Sequence, residues 1–154
     1  MSFPKEDAVT LRPAGEVPPL AIGTTRARFV APGSVTQGRF GLFEWTMQPG
    51  TGGAGPHYHT TFSESFFVVS GSPMLLAGTR WVTATAGDFL HVAEGGPHGF
   101  RNDSDEVAQM LILFAPGIVR EPYFEALAEI RTSGRTLTRE EWVELWAKHD
   151  QYPC

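Results

Sequence analysis

The chain has 154 residues, enough for one domain with a sizeable core and little more. Seventeen acidic and twelve basic side chains leave a net charge of −5 with no long run of either sign, which argues against nucleic acid or an anionic membrane as a partner. The opening Met-Ser-Phe-Pro-Lys-Glu-Asp lacks the basic start and apolar run of a secretory signal, no apolar stretch approaches membrane-spanning length, and the only cysteine is Cys154. A cytoplasmic protein without an internal disulfide is expected.

In chain order, residues 1–24 read as an extended arm punctuated by Pro4, Pro13, Pro18 and Pro19. A strand is predicted over Arg26–Ala31, closed by Pro32-Gly33. A longer one spans Arg39–Gln48, with Phe43, Trp45 and Met47 on one face and Phe40 and Leu42 on the other, the pattern of a strand covered on both sides. The glycines of Pro49–Pro56 resemble a phosphate-binding loop only superficially, since no Gly-Lys-Ser/Thr follows and no helix is predicted after them.

Short strands are then predicted over Glu64–Ser70, Met74–Ala77, Trp81–Ala84, Asp88–Val92, Gly99–Arg101 and Val107–Ala115. Gly71, Gly78, Gly87 and Gly95 separate several of them, a spacing that argues for a β-sandwich or closed barrel. Beyond Pro116-Gly117 the period changes. Pro122 suits a first helical turn, and Tyr123, Phe124, Leu127, Ala128 and Ile130 recur at helical spacing before Gly134. Thr138 and Glu141 form a capping-box pattern that opens a second helix carrying Trp142, Val143, Leu145 and Trp146. The two helices are expected to cover an outer face of the β domain, with both tryptophans as packing residues.

Two stretches about thirty residues apart carry the chemistry. On a strand, alternate residues project to one side, so His57 and His59 can point inward together while Tyr58 faces away. Glu64 enters from the next strand, with Phe66 and Val68 on its side of the pleat. His98 comes from a different pair of strands, with Phe100 and Asn102 of the same parity. Three imidazoles and one carboxylate suit a first-row transition metal (iron, manganese, nickel, copper, cobalt or zinc) better than calcium or magnesium. Four protein ligands around an octahedral ion leave two positions for water, substrate or oxygen. A bare His-x-His is common on surface strands, and His98 alone could decorate a turn; the conjunction with Glu64 and the spaced glycines carries the weight.

These segments resemble the paired motifs of the cupin superfamily. His57, His59, Glu64 and Gly71 match the first motif, and Gly87, Gly95, His98 and Asn102 match the second, over roughly residues 38–117. Ala93 stands where the second motif usually has proline, and Thr51 stands at the usual first glycine. The resemblance implies an all-β fold, a single double-stranded β-helix (jelly-roll) barrel over 25–117. The arm at 1–24 precedes it, and a helical extension at 118–154 packs on it. It also implies a homodimer.

The resemblance further implies a metal-dependent enzyme, most concretely a quercetinase-like dioxygenase of a phenolic or enolisable small molecule. His57, His59, Glu64 and His98 would hold the ion, and Glu64 would accept the substrate's proton. Two alternatives are an oxygen-independent Lewis-acid cyclase, isomerase or lyase, and a binding barrel without turnover. Phe40, Leu42, Glu44, Phe66, Val68, Phe100 and Gln109 are the expected pocket. Glu44 is either a base or orienter there or an outer-face ion-pair partner. Asn102 is read as tying a turn, and His91 as structural or interfacial. No serine or cysteine has a nucleophile-elbow context.

Overall fold

The computed structural model describes residues 4–154. After two single 3-10 turns, the chain forms β1 (Leu20–Ile22), β2 (Thr25–Ala31), β3 (Gly41–Met47), β4 (His57–Tyr58), β5 (Ser63–Ser70) and β6 (Met74–Ala77). It continues through β7 (Arg80–Thr83), β8 (Phe89–Val92), β9 (His98–Arg101), β10 (Ala108–Ala115), α1 (Glu121–Ser133), α2 (Arg139–Lys148) and β11 (Tyr152–Pro153). The jelly roll is built as two antiparallel sheets, one ordered β1-β2-β3-β10-β5-β8 and the other β11-β4-β9-β6-β7. Leu20–Ile22, within the stretch expected to be an arm, adds an edge strand by pairing with Thr25–Ala27.

Pleat alternation decides which side chains meet. In β3 Phe43, Trp45 and Met47 are buried and Leu42, Glu44 and Thr46 are half-exposed. β10 repeats the pattern, burying Ala108, Met110, Ile112 and Phe114. From the facing sheet come Leu75 and Phe100, with Trp45 and Phe66 each 5.7 Å from the Phe100 ring centroid. The core is largely aromatic, and edge-to-face pairs such as Phe43–Phe114 at 5.3 Å fill it.

The helices do not lie on an outer face. Phe124 of α1 enters the inner cluster, 5.2 Å from Trp45 and 5.5 Å from Phe43. α1 therefore closes the open end of the sandwich beside β1, where the larger sheet extends past the smaller one. Gly134 ends α1 with φ of 67°, the left-handed conformation a C-terminal glycine supplies. At α2 both halves of the capping box form: the Thr138 side chain accepts from the Glu141 N–H at 3.2 Å and Glu141 accepts from the Thr138 N–H at 2.8 Å. No helix among the described residues is long and apolar enough to cross a membrane.

Gly71 shows why a motif position excludes other residues. Its φ is +79°, and a Cβ there would collide with the Val107 carbonyl where β5 turns past the start of β10. Asn102 ties the neighbouring loop. Its buried amide donates to the carbonyls of Met47, Gln48 and Glu106, and its oxygen accepts from the Ser104 hydroxyl at 2.7 Å. Asn102→Ala strands several of these groups and is expected to cost about 1–3 kcal/mol in urea unfolding of the metal-free protein.

Candidate metal centre

His57 and His98 lie directly opposite each other on β4 and β9. His59 follows β4 immediately, and Glu64 projects inward from β5 of the other sheet. One donor atom from each of His57, His59, Glu64 and His98 falls within 4.8 Å of all the others, and all four residues are buried. The cluster thus sits between the sheets, with three ligands on one side and one on the other.

The outward ring nitrogens show how the imidazoles are aimed. His57 Nδ1 lies 2.7 Å from the Gly55 carbonyl, His59 Nδ1 2.6 Å from the Asp150 carbonyl, and His98 Nδ1 2.9 Å from the Gly96 carbonyl. A carbonyl only accepts, so each Nδ1 carries a proton, and in the neutral imidazole each Nε2 keeps its lone pair. Yet His59 Nε2 and His98 Nε2 stand 2.9 and 2.8 Å from the same oxygen, Glu64 Oε2. Lone pairs facing a carboxylate at this distance repel unless a cation is shared among them. Bonds of about 2.1 Å to a six-coordinate ion set adjacent donors about 3 Å apart. The donor set fits one divalent transition-metal ion, and the carbonyl partners are the outer support such ligands require.

Electrostatics agree with that assignment. Burial, the largest influence, lowers His57 to about 4 against the attraction of Glu64, so this imidazole stays neutral in ordinary buffers. Burial also favours protonated Glu64, but hydrogen bonds from His59 and His98 outweigh it and hold the carboxyl far below its usual range. At His98 burial opposes the charge, and the hydrogen bond and attraction from Glu64 overcome it and raise the pKa.

A cavity of about 630 Å³ opens from His57 and Glu64. That volume is typical of small-molecule sites. Phe100 is the one expected pocket residue that lines it. Phe66 and Val68 are fully buried in the core, Phe66 packing 5.9 Å from the His98 ring. Phe40, Leu42, Glu44 and Gln109 are corrected to the other side of the sheet: Phe40 is exposed before β3, and the rest are half-exposed on outer faces. Glu44 accepts from Arg28 there, Oε2 to Nη2 at 2.9 Å, and Gln109 reaches Thr46 Oγ1 at 3.4 Å. The physical reason is parity: Trp45, not Glu44, is the inward residue of β3.

The rest of the cavity wall comes from segments outside the two motifs. The loop 49–55 forms one side, while Arg120, Tyr123, Phe124 and Leu127 of α1 and its approach form another. Trp142 and Trp146 of α2 also line it, their rings stacked at 5.5 Å and 26°. These tryptophans line the cavity, and Trp146 packs against the core as well, so it serves both as wall and as packing. Their i, i+4 spacing was visible in the sequence, but nothing local revealed that α2 faces the metal. His91 lies outside the cluster, exposed, with Nδ1 2.8 Å from Ser65 Oγ.

Residues 43–114 match the family model for the cupin domain. The chain carries a domain of the cupin superfamily. Over 116 residues it is 29% identical to quercetin 2,3-dioxygenase of Bacillus subtilis (strain 168), covering 75% of this chain and 34% of that protein. The chain thus spans about a third of the curated relative's length. A predicted oxalate decarboxylase from Thermotoga maritima shares the fold with TM-score 0.64 and 16% identity, over 70% of this chain and 99% of that one. The polyketide cyclase RemF from Streptomyces resistomycificus does so with TM-score 0.58 and 20% identity, over 76% and 91%. At these identities the solved structures establish the cupin fold.

Metal and proton compete for the same Nε2 lone pairs, which sets a pH dependence. The raised His98 takes up its proton first as pH falls, whereas His57 resists until about 4. The apparent affinity for Co(II), measured by chelator competition from pH 8 to pH 5, is therefore expected to weaken from above the ordinary imidazole range downward. In His98→Ala the affinity is lower throughout and this part of the pH dependence is lost.

Proposed function

We propose that the protein is a metal-dependent oxidoreductase, a quercetinase-like dioxygenase acting on a phenolic or enolisable small molecule. The observation that carries this reading is a buried 3-His/1-Glu cluster whose His57 and Glu64 open directly into a cavity walled by aromatic rings. The 29% identical quercetin dioxygenase supports the reaction class.

The ion, when bound, supplies Lewis-acid polarisation of a coordinated substrate oxygen and a site for redox chemistry with oxygen. Everything else falls to side chains. The Trp142–Trp146 pair and Phe100 offer flat faces that position a planar substrate and exclude water. Trp45, whose buried indole N–H has no partner among the described residues, lines the same cavity and favours an oxygen-bearing ligand. Glu64, whose carboxylate lines the cavity beside the imidazoles, is the group placed to take the proton of a phenolic or enolic hydroxyl. The substrate is thereby presented to oxygen as its anion.

Substrate consumption coupled to oxygen uptake in a sealed electrode cell tests the proposal, with flavonols and simpler enolisable phenols as probes. Glu64→Gln is expected to lower kcat by about 10²–10⁴-fold. Trp142→Ala and Trp146→Ala should raise KM more than they lower kcat. Turnover that continues unchanged under nitrogen would redirect the site to Lewis-acid cyclisation, isomerisation or lyase chemistry. Tight binding without turnover in either atmosphere would leave a binding protein.

The outer face of the larger sheet supports a homodimer. Leu111, Phe67 and Phe89 form one cross-strand row, and Leu42 and Leu113 the next. Phe67 and Phe89 are 43% and 65% exposed, an apolar surface that a second copy would cover. Sedimentation at micromolar concentration is expected to show a dimer for the wild type and a monomer for a Phe67→Lys, Phe89→Lys variant.

A further inference from the structure

Two of the three histidines are aimed by their own loops. His57 and His98 each bond a carbonyl two residues upstream, Gly55 and Gly96. His59 is different: its Nδ1 partner is the carbonyl of Asp150, 91 residues further along the chain. The last turn of the protein therefore sets the tautomer and orientation of one metal ligand.

Several contacts hold that turn in place. Asp150 has φ of 51°, a left-handed conformation that aspartate tolerates and that swings the chain from α2 into β11. Its carboxylate accepts from the backbone N–H and hydroxyl of both Thr60 and Thr61, at 2.6–3.1 Å, the two residues after His59. β11 then pairs with β4, Tyr152 opposite Tyr58 and Pro153 opposite His57. Arg120 grips the turn from the other side. Its Nη1 donates to the His149 carbonyl at 2.8 Å and its Nη2 to Gln151 Oε1 at 3.1 Å, so its two bonds flank Asp150.

Arg120 is 3% exposed, and its hydrogen-bond partners are neutral. Burying a guanidinium is costly. The nearby Glu64 and Asp150 carboxylates attract its charge, and its hydrogen bonds hold it on the turn. Its plane also stands 5.4 Å from the Phe62 ring, and Phe62 stacks on His59 at 4.1 Å and 26°. One cation thus restrains both the hydrogen bond and the ring contact of the same imidazole.

We infer that Arg120, Gln151 and the Asp150 turn form a positioning clamp for His59, which makes the C-terminal segment a working part of the metal centre. The clamp also joins the wall of the cavity to the ion, because α1 follows directly from Arg120 and α2 leads into Asp150. The inference depends on the four-ligand metal site and not on which reaction it performs.

The test uses the full chain loaded with Co(II), comparing wild type with Arg120→Met and Gln151→Leu. Chelator competition is expected to show Co(II) affinity weakened by about 10–100-fold in the variants. Proton NMR of the Co(II) protein is expected to show three solvent-exchangeable Nδ1–H resonances, one of which exchanges faster in the variants while the other two hold. Circular dichroism and melting of the metal-free proteins measure folding separately, and Gln151→Leu decides alone if Arg120→Met does not fold. Wild-type affinity and unchanged exchange in a folded variant would overturn the clamp. Uniformly faster exchange of all three protons would also overturn it, by showing general loosening. A wild-type chain that binds no Co(II) would overturn the metal site itself, which is a different failure.

Discussion

The structure is organised around one electrostatic conflict. Two imidazole nitrogens, whose rings already hold a proton at Nδ1 against a carbonyl, face a single carboxylate oxygen at 2.8–2.9 Å in a buried space. Proton sharing relieves the conflict partly, as the raised His98 shows. A divalent cation relieves it fully, because all the converging groups are donors of electron pairs. Since Glu64 belongs to one sheet while His57 and His98 lie on strands of the other and His59 just after β4, the same ion would brace the sandwich across its middle. The hydrophobic core surrounds the cluster with Phe66, Phe62 and Phe100, lowering the local dielectric and strengthening each of these interactions.

The clustering of His57, His59, Glu64 and His98 was legible in the sequence because β-strands convert spacing into direction. His57 and His59 share a side by the two-residue period, and the turn glycines mark where the chain must reverse. Gly71 remains glycine because its φ is positive and the Val107 carbonyl occupies the space of a side chain. The strand and helix positions followed from the same two periods, 2.0 and 3.6, and from punctuation such as Gly134 and the Thr138–Glu141 box.

The pocket was less legible, and for a specific reason. β3 carries apolar residues of both parities, so its pleat has two self-consistent readings. The outer face is apolar in its own right, which made Phe40, Leu42 and Glu44 look inward when Phe43, Trp45 and Met47 are. Parity within one strand cannot settle this. The pairing of Trp45 with Met110 and the packing of Phe124 against Trp45 do, and both are long-range. The helices posed the same difficulty: an amphipathic pattern says that a face is covered, not by what. α2 buries no residue fully: Leu145 and Trp146 pack against the core, while Trp142 and Trp146 also border the cavity.

That last feature gives the chain its individuality. Proteins of this fold include a dioxygenase and a polyketide cyclase, so the fold by itself does not choose a chemistry. In this chain the end of the sandwich is closed by the segment after the last long strand. The residues after Pro116 return over the opening, contribute the indoles and the α1 aromatic face to the cavity, and then descend to the metal through Asp150. Arg120 stands where both paths begin, its guanidinium near the rings of Tyr123, Phe62, Phe114 and Phe124. A substrate that presses on Trp142 or Trp146 therefore pushes on a helix whose next turn orients His59. Cavity wall and His59 orientation come from one segment, so changes that re-shape α2 also reach the four-residue cluster.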